Sequence, residues 1–481
     1  MMRPNVLLVV LDTARADAFE PYGAAPGDTP TVAQMASTSN GFVHDAMYST
    51  ACWTLPAHAS LFTGRLPRSA GFAKGTPPVF KKAMDAYPVD TLPDALRRAG
   101  YDTAGLSANP WISEATGFDR GFEHFQLLET DRNTEMSGKR RRDRVAWLLD
   151  ALRARADDGA AAIEQLLAEW LRSRTQRPFF WFVNLMECHS PYLPPKPYSP
   201  AGPIGRMVAA HDAARHCTLD ALWRVSGGGW DIDDAALHRM RAMYDGAIRQ
   251  LDAWLARVFD HLDRAGVLDD TIVIVTSDHG ENFGEDHKFG HTFSLDNRLL
   301  HVPFVTRGPV TLDLNRIGSL ADVPGALVRA LDMSSAPFDD VNAPLGLAVA
   351  QLDAVGDEGD ARIDAAVERW GLHEEAKRFF VTSYACATDG AVKLVRRPDR
   401  EELFELATDP LELVPILVDA DVEARLSDQL APLRRALDDA TATEAPAVVG
   451  SDEEPSGEHD DAEGDDEVAA LEKQMRLLGY L

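Results

Sequence analysis

Short apolar runs alternate with amphipathic stretches along most of the chain. The runs at 5–11, 103–107, 179–185, 271–276 and 301–306 are continuous rather than alternating, the pattern of strands covered on both faces. Between them, residues 91–99, 144–172 and 233–265 repeat apolar positions every three to four residues and read as helices. This order predicts an α/β fold with a mostly parallel sheet covered by helices on both faces. Residues 203–230, with Gly227-Gly228-Gly229, have weaker periodicity and read as a surface insertion. From about Arg378 the pattern changes to short strands at 379–384, 391–397 and 402–406, with Asp389-Gly390 as a hairpin turn, which predicts a small antiparallel sheet. The expected layout is a large α/β domain over 1–370, a C-terminal subdomain over 371–447, an acidic disordered tail over 448–467, and an amphipathic helix over 468–481. In that last segment Val468, Leu471, Met475 and Leu478 share one face.

Charge narrows the class of partner. The 481 residues carry 76 Asp and Glu against 48 Lys and Arg, a net charge of −28, which argues against a nucleic-acid-binding surface. Ten of the excess charges lie in the acidic run 452–467, so the body of the chain is acidic in its own right. Only 9 of the basic residues are Lys, a composition that suits a high-salt, halophilic setting where screening removes self-repulsion, the alternative being a GC-biased genome with an acidic tail. Cys52, Cys188, Cys217 and Cys386 form no C-x-x-C pair and no disulfide framework, which points to a reducing compartment. The apolar start at 5–11 is too short for a membrane span and lacks a small-residue cleavage site, so a cytoplasmic location is expected.

Candidate chemistry gathers just past the ends of the expected strands, the edge where open α/β sheets bind ligands. Asp12 ends the first run, Asn109 follows the second, Glu187 and His189 follow the third, and Asp278-His279 end the fourth. Each alone is an ordinary loop or capping residue; several on one edge make a site. In Thr54-Leu55-Pro56-Ala57-His58-Ala59-Ser60-Leu61-Phe62-Thr63-Gly64, Pro56 suits a first helical turn and Gly64 suits its end. Thr54 then sits at a helix N-terminus, whose free N–H groups favour a tetrahedral oxyanion.

These motifs resemble the sulfatases of the alkaline-phosphatase superfamily, which also holds phosphonate monoester hydrolases, nucleotide phosphodiesterases and phosphoalcohol transferases. Asn5 to Asp12 is similar to the family's first strand and first metal ligand. Thr54-Leu55-Pro56-Ala57-His58 with Leu61-Phe62-Thr63-Gly64 resembles the nucleophile motif (Cys or Ser)-x-Pro-(Ser/Ala)-Arg-x-x-Leu-x-Thr-Gly. Glu187-Cys188-His189-Ser190-Pro191-Tyr192-Leu193-Pro194-Pro195 resembles an Asp-x-His-x-Pro-Tyr-x-Pro-Pro loop. Ser277-Asp278-His279-Gly280-Glu281, followed by Gly290-His291, is the most specific match, and Lys393-Leu394 with 402–410 resembles the C-terminal sheet.

The resemblance implies an alkaline-phosphatase-like fold and a hydrolase or transferase of sulfate or phosphate esters, small-molecule or glycan. It implies that Asp12, Asp278 and His279 bind a divalent metal (Zn²⁺, Mn²⁺, Ca²⁺ or Mg²⁺), with Thr54 in its coordination sphere as nucleophile. His189 and His291 match positions that hold substrate oxygens and protonate the leaving group. His58 replaces the motif's Arg and is expected to face the same anion, and Asn109 to bind a non-bridging oxygen or shape its loop. A second metal on Glu187, His189 and His291 is a further option.

Two departures matter. Thr54 stands where the family places the Cys or Ser that becomes formylglycine, and Thr cannot form that aldehyde; Cys52 is out of register with the motif's Pro and Arg. No formylglycine is expected, and a Thr intermediate favours phosphorus over sulfur. Asp12 is also followed by Thr13 rather than a second carboxylate. The alternative is a catalytically silent relative that binds sulfated or phosphorylated glycans.

Overall fold

The computed structural model describes residues 3–72, 83–128, 157–291, 293–335, 337–338, 346–354, 356–373 and 376–442. Its main sheet has seven strands: β1 (Asn5–Leu11), β2 (Gly41–Val43), β3 (Asp102–Ser107), β4 (His124–Leu127), β5 (Phe179–Leu185), β6 (Thr271–Thr276) and β7 (Phe304–Arg307). The spatial order is β2-β7-β6-β1-β5-β3-β4. Strands β6, β1, β5, β3 and β4 are parallel, while β7 runs antiparallel to both β6 and β2. Every residue of β1, β5 and β6 is buried, which is why these strands read as unbroken apolar runs. Along β1, Leu7, Val9 and Leu11 face one core and Val6, Leu8 and Val10 the other, as the two-residue strand period requires. Asn5 ties the central strands at their start: its Oδ1 accepts from Phe179 N at 3.2 Å and its Nδ2 donates to Thr271 Oγ1 at 3.4 Å.

Helices cover both faces. On the Leu7 side lie α1 (Pro30–Ser37); on the Val6 side lie α2 (Thr54–Thr63) and α3 (Leu92–Arg98). A capping box between Thr91 and Asp94 opens α3. Returning to the first face, α4 (Ala160–Ser173) is the described part of the helix expected over 144–172; residues 144–156 lie outside the described residues. The expected surface insertion at 203–230 instead holds α5 (Pro203–His216) and α6 (Leu219–Ser226). Ala209, Ala210 and Ala213 are buried, and small alanines at the contact leave the weak periodicity that hid the helix. The long α7 (Asp234–Arg264) follows, capped by the Asp233 side chain on Ala236 N.

One buried carboxylate joins α7 to α1. Asp252 Oδ2 accepts from Thr31 N at 3.0 Å and its Oδ1 from Val32 N at 2.9 Å, so α7 supplies the acceptors that the first turn of α1 lacks. Asp252→Ala strands those two N–H groups in a site with the residue 3% exposed, and should cost about 1–3 kcal/mol. Urea unfolding should show a lower midpoint at an unchanged slope; an unaltered midpoint would contradict the capping role.

The second sheet is an antiparallel meander of β8 (Ala348–Leu352), β9 (Tyr384–Thr388), β10 (Val392–Arg396), β11 (Glu401–Glu405) and β12 (Ile416–Leu417). Asp389-Gly390 turns β9 into β10 as expected, with Gly390 at φ +84°. Residues 379–384, expected as strand, are instead the end of α8 (Lys377–Val381) and the approach to β9. Phe380 is fully buried and stacks on Trp223 at 4.5 Å, an apolar anchor that a helix serves as well as a strand. A final helix α9 (Ala420–Ala442) packs Leu430, Leu433 and Leu437 on one face of this sheet. The other face meets the main domain through Tyr384, Cys386 and Phe404 against Tyr48, Leu295 and Leu299. The acidic run 452–467 and the segment 468–481 lie outside the described residues. Among the described residues no helix is long and apolar enough to cross a membrane.

Candidate active site

Because β1, β3, β5 and β6 are parallel, their C-terminal ends share one edge, and there the fold gathers Asp12, Asn109, His189 and Asp278-His279. Helix α2 enters the same edge with Thr54 at its first position, after the extended Trp53, and ends at Gly64, whose φ of +68° suits a left-handed cap. Thr54 Oγ1 lies 3.5 Å from His279 Nε2 and accepts from Asn109 Nδ2 at 3.4 Å. Asn109 Nδ2 also donates to Asp12 Oδ2 at 2.7 Å, so one amide joins the hydroxyl to the carboxylate.

The backbone around these residues is held tightly. Thr13 adopts φ +63°, a strained region for a β-branched residue, and four bonds hold it there. Its Oγ1 donates to Cys188 O at 2.9 Å, its N to Asp278 Oδ1 at 3.2 Å, and its carbonyl accepts from Tyr244 OH at 3.0 Å; the neighbouring Ala14 N donates to Ser277 Oγ at 2.9 Å. Gly280 follows His279 where a Cβ would fall 2.0 Å from Arg298 O, so no other residue fits that turn.

Asp12, Asp278 and His279 are fully buried. A ligand atom from each lies within 4.8 Å of the other two, and among the described residues this is the only such group of three or more. Asp12 Oδ1 and Asp278 Oδ2 have no hydrogen-bond partner. Burial, reinforced by the Asp278 charge, pushes the Asp12 carboxyl up to about 7, and burial pushes Asp278 up to about 6. Burial, with His291 nearby, pushes His279 down to about 4, and its Nδ1 is engaged by Gly280 O at 3.0 Å, leaving Nε2 as a lone-pair donor. Two orphaned carboxylate oxygens and a neutral imidazole nitrogen, short of positive charge, are a donor set that fits a divalent cation.

A cluster of imidazoles adjoins this group. The His291 ring centroid is 4.6 Å from that of His279 and 5.0 Å from that of His189. His189 is half-buried, with Nδ1 3.0 Å from Ser190 O, whereas His291 is 5% exposed. The His291 Nδ1 lies 3.0 Å from Glu281 Oε1. Burial works against a charged His291, but the Glu281 carboxylate together with the Asp12 and Asp278 charges outweighs it and the net shift is upward.

Two sequence expectations change. His58 does not face an open anion site: it is fully buried, its Nδ1 donates to Thr54 O at 3.0 Å, and Phe118 and Phe182 meet its ring edge-on. Burial pushes it down to about 3, so it is a neutral ring bracing the first turn of α2. Glu187 joins no second metal group with His189 and His291; its Oε1 accepts from Ala160 N at 2.7 Å, and burial with Asp157 and Asp158 pushes it up to about 8. Conversely, the site brings in Glu281 and Tyr192, to which their motifs alone assign no role. The signal for Glu281 was a carboxylate two residues beyond His279, in a stretch that buries every residue from Ser277 to Asn282.

A sulfatase family model matches residues 4–314, the stretch that contains every residue of this cluster. The chain belongs to the sulfatase family. This sulfatase-family chain is 27% identical over 347 residues to the multifunctional alkaline phosphatase superfamily protein PehA of Trinickia caryophylli, a match covering 60% of this chain and 65% of PehA, under two thirds of that protein's length. It is 22% identical over 467 residues to an arylsulfatase of Clostridium perfringens, covering 88% of this chain and 92% of the relative. The phosphonate monoester hydrolase of Agrobacterium radiobacter shares the fold with a TM-score of 0.62 at 21% identity, over 91% of this chain and 96% of that one.

Proposed function

We propose that this sulfatase-family chain is a divalent-metal-dependent hydrolase or transferase of sulfate or phosphate esters that acts through a covalent Thr54 intermediate, with phosphorus esters favoured. The reading is carried by one observation: Thr54 Oγ1 lies at the N-terminus of α2, within 3.5 Å of His279 Nε2 and 3.4 Å of Asn109 Nδ2, beside two carboxylate oxygens that have no hydrogen-bond partner. Family membership and the likeness to proteins named for sulfatase, phosphatase-superfamily and phosphonate hydrolase activities support the ester chemistry.

Asp12, Asp278 and His279 would hold the cation. When bound it supplies Lewis-acid charge, which lowers the pKa of a nearby hydroxyl and offsets charge on the transferring group. Thr54 Oγ1 then attacks phosphorus as the ester oxygen departs on the opposite side. The N–H groups opening α2 stabilise the oxyanion, and Asn109 aligns the hydroxyl through its bond to Asp12. His291 or His189 gives a proton to the departing oxygen. Water, or an acceptor alcohol, then attacks the Thr54 ester and frees the hydroxyl. A Thr sulfate or phosphate has no route back to an aldehyde, so this second displacement must occur at sulfur or phosphorus, and a Thr nucleophile suits phosphorus better.

The test is turnover of 4-nitrophenyl sulfate, 4-nitrophenyl phosphate, a 4-nitrophenyl phosphonate monoester and bis(4-nitrophenyl) phosphate, each with added Mn²⁺, Zn²⁺ or Ca²⁺. One of the phosphorus esters should exceed the sulfate in kcat/KM by at least about tenfold. Anion binding with no turnover of any ester would instead mark a silent, glycan-binding relative.

A further inference from the structure

Glu281 is a fully buried carboxylate with both oxygens committed, and the chemistry above gives it no part. Its Oε1 lies 3.0 Å from His291 Nδ1, and its Oε2 accepts from Tyr192 OH at 2.7 Å. It is not one of the donors grouped with Asp12, Asp278 and His279. Tyr192 is itself fixed: it is 1% exposed, its ring packs edge-on against Tyr244 at 5.8 Å and tilted against Phe283 at 5.3 Å, and its backbone sits at φ +52°. Burial, with the Glu281 carboxylate beside it, pushes the phenol well above its ordinary range, so its O–H remains a donor. The carboxylate is thus clamped from the Tyr192 loop while gripping an imidazole on the other side of the site.

An imidazole whose Nδ1–H is held by a carboxylate has one tautomer and one ring orientation, with Nε2 directed to the far side of the ring. We infer that Glu281, anchored by Tyr192, is the positioning residue that fixes the tautomer and direction of His291, so that Nε2 meets the leaving oxygen of the ester. This deepens the reading of His291 as the group that assists departure and rests on it. In the transfer step His291 starts as the imidazolium: the bond between phosphorus and the ester oxygen breaks, the bond from Thr54 Oγ1 to phosphorus forms as the hydroxyl releases its proton to water, and the Nε2 proton passes to the departing oxygen, leaving the ring neutral with its remaining proton on Nδ1. Glu281 keeps the Nδ1 proton in place and stabilises the ring charge without accepting that proton. The leaving group therefore decides how much Glu281 matters: a good one such as 4-nitrophenolate needs little protonation, an alkoxide needs it fully.

The experiment uses the full chain loaded with Zn²⁺ and measures kcat/KM for wild type, His291→Ala, Glu281→Gln, Glu281→Ala and Tyr192→Phe over a series of esters of rising leaving-group pKa. Metal content and melting temperature are recorded alongside. Glu281→Ala should lose about threefold or less with the nitrophenyl ester and about 10²-fold with the poorest leaving group, steepening the dependence as His291→Ala does. Glu281→Gln, which can still accept from Nδ1–H, should recover part of that loss, and Tyr192→Phe should fall between wild type and Glu281→Ala. In ¹⁵N spectra of the histidine rings, His291 should change from a single Nδ1–H tautomer to a mixture in Glu281→Ala. If His291→Ala steepens the dependence while the Glu281 variants lose activity uniformly and keep the tautomer, the positioning role is overturned and the reading of His291 stands. A uniform loss in His291→Ala overturns both.

Discussion

Thr54→Val leaves a protein that folds, binds its cation and turns over no ester at a useful rate. Valine keeps the β-branch and nearly the volume of threonine but removes Oγ1, so the first turn of α2, with His58 bonded to the Thr54 carbonyl at 3.0 Å, is retained. What disappears is the hydroxyl that lies 3.5 Å from His279 Nε2. For a group that forms the covalent intermediate, the expected loss in kcat is on the order of 10³-fold or more, about 4 kcal/mol of barrier. The cost to stability should be small beside this, because the lost Asn109 bond is long at 3.4 Å and Asn109 keeps its shorter one to Asp12. Acid quench of the wild type during turnover of a phosphorus ester should yield a phosphorylated peptide containing Thr54, and the valine variant should yield none. Undiminished kcat in Thr54→Val would remove Thr54 from the mechanism, whatever the rest of the site does.

The parts of this arrangement that the sequence made legible are those fixed by the strongest physical constraint. Strands β1, β5 and β6 are buried on both sides, so their residues could only be continuous apolar runs, and the polar residues ending them stood out at once. The edge strands β2 and β4 escaped notice because Gly41–Val43 and His124–Leu127 are short and half-exposed and carry no such run. Strand β8 was missed for a related reason: Ala-Val-Ala-Gln-Leu buries small residues against β9, a contact set by pairing far along the chain. Among the site residues, position relative to a strand end was readable, and orientation was not. His58 lies four residues after Thr54 on one helix, yet its ring turns inward to Phe118 and Phe182, because the space beneath α2 is aromatic. Glu187 likewise follows β5 as His189 does, but turns to the N-terminus of α4. These directions depend on neighbours more than a hundred residues away, which spacing does not encode.

The cation site has a pH dependence whose sign follows from its three donors. Each binds metal only without its proton, so every proton that the metal-free site holds must leave on binding. Asp12 is pushed up to about 7 and Asp278 up to about 6, while His279 is pushed down to about 4 and is already neutral above that. Between pH 4 and 6 two protons are displaced, and the apparent affinity should rise about a hundredfold per pH unit; between 6 and 7 one proton is displaced and the rise should be about tenfold per unit. Above pH 7 the affinity should level off. Isothermal titration of Zn²⁺ or Mn²⁺ at pH 5, 6, 7 and 8, in buffers of different ionisation enthalpy, reads both affinity and proton release. Asp278→Asn tests the assignment within that curve. It removes the carboxylate titrating at about 6, so the two-proton segment should collapse to one, while bound metal and turnover fall by about 10³-fold together. The amide can still accept from Thr13 N and His279 N through its oxygen, which preserves the local turn and separates lost charge from lost fold. Affinity that does not change between pH 5 and 8, or an Asp278→Asn protein that keeps its metal and its rate, would mean that these three buried side chains do not hold the cation.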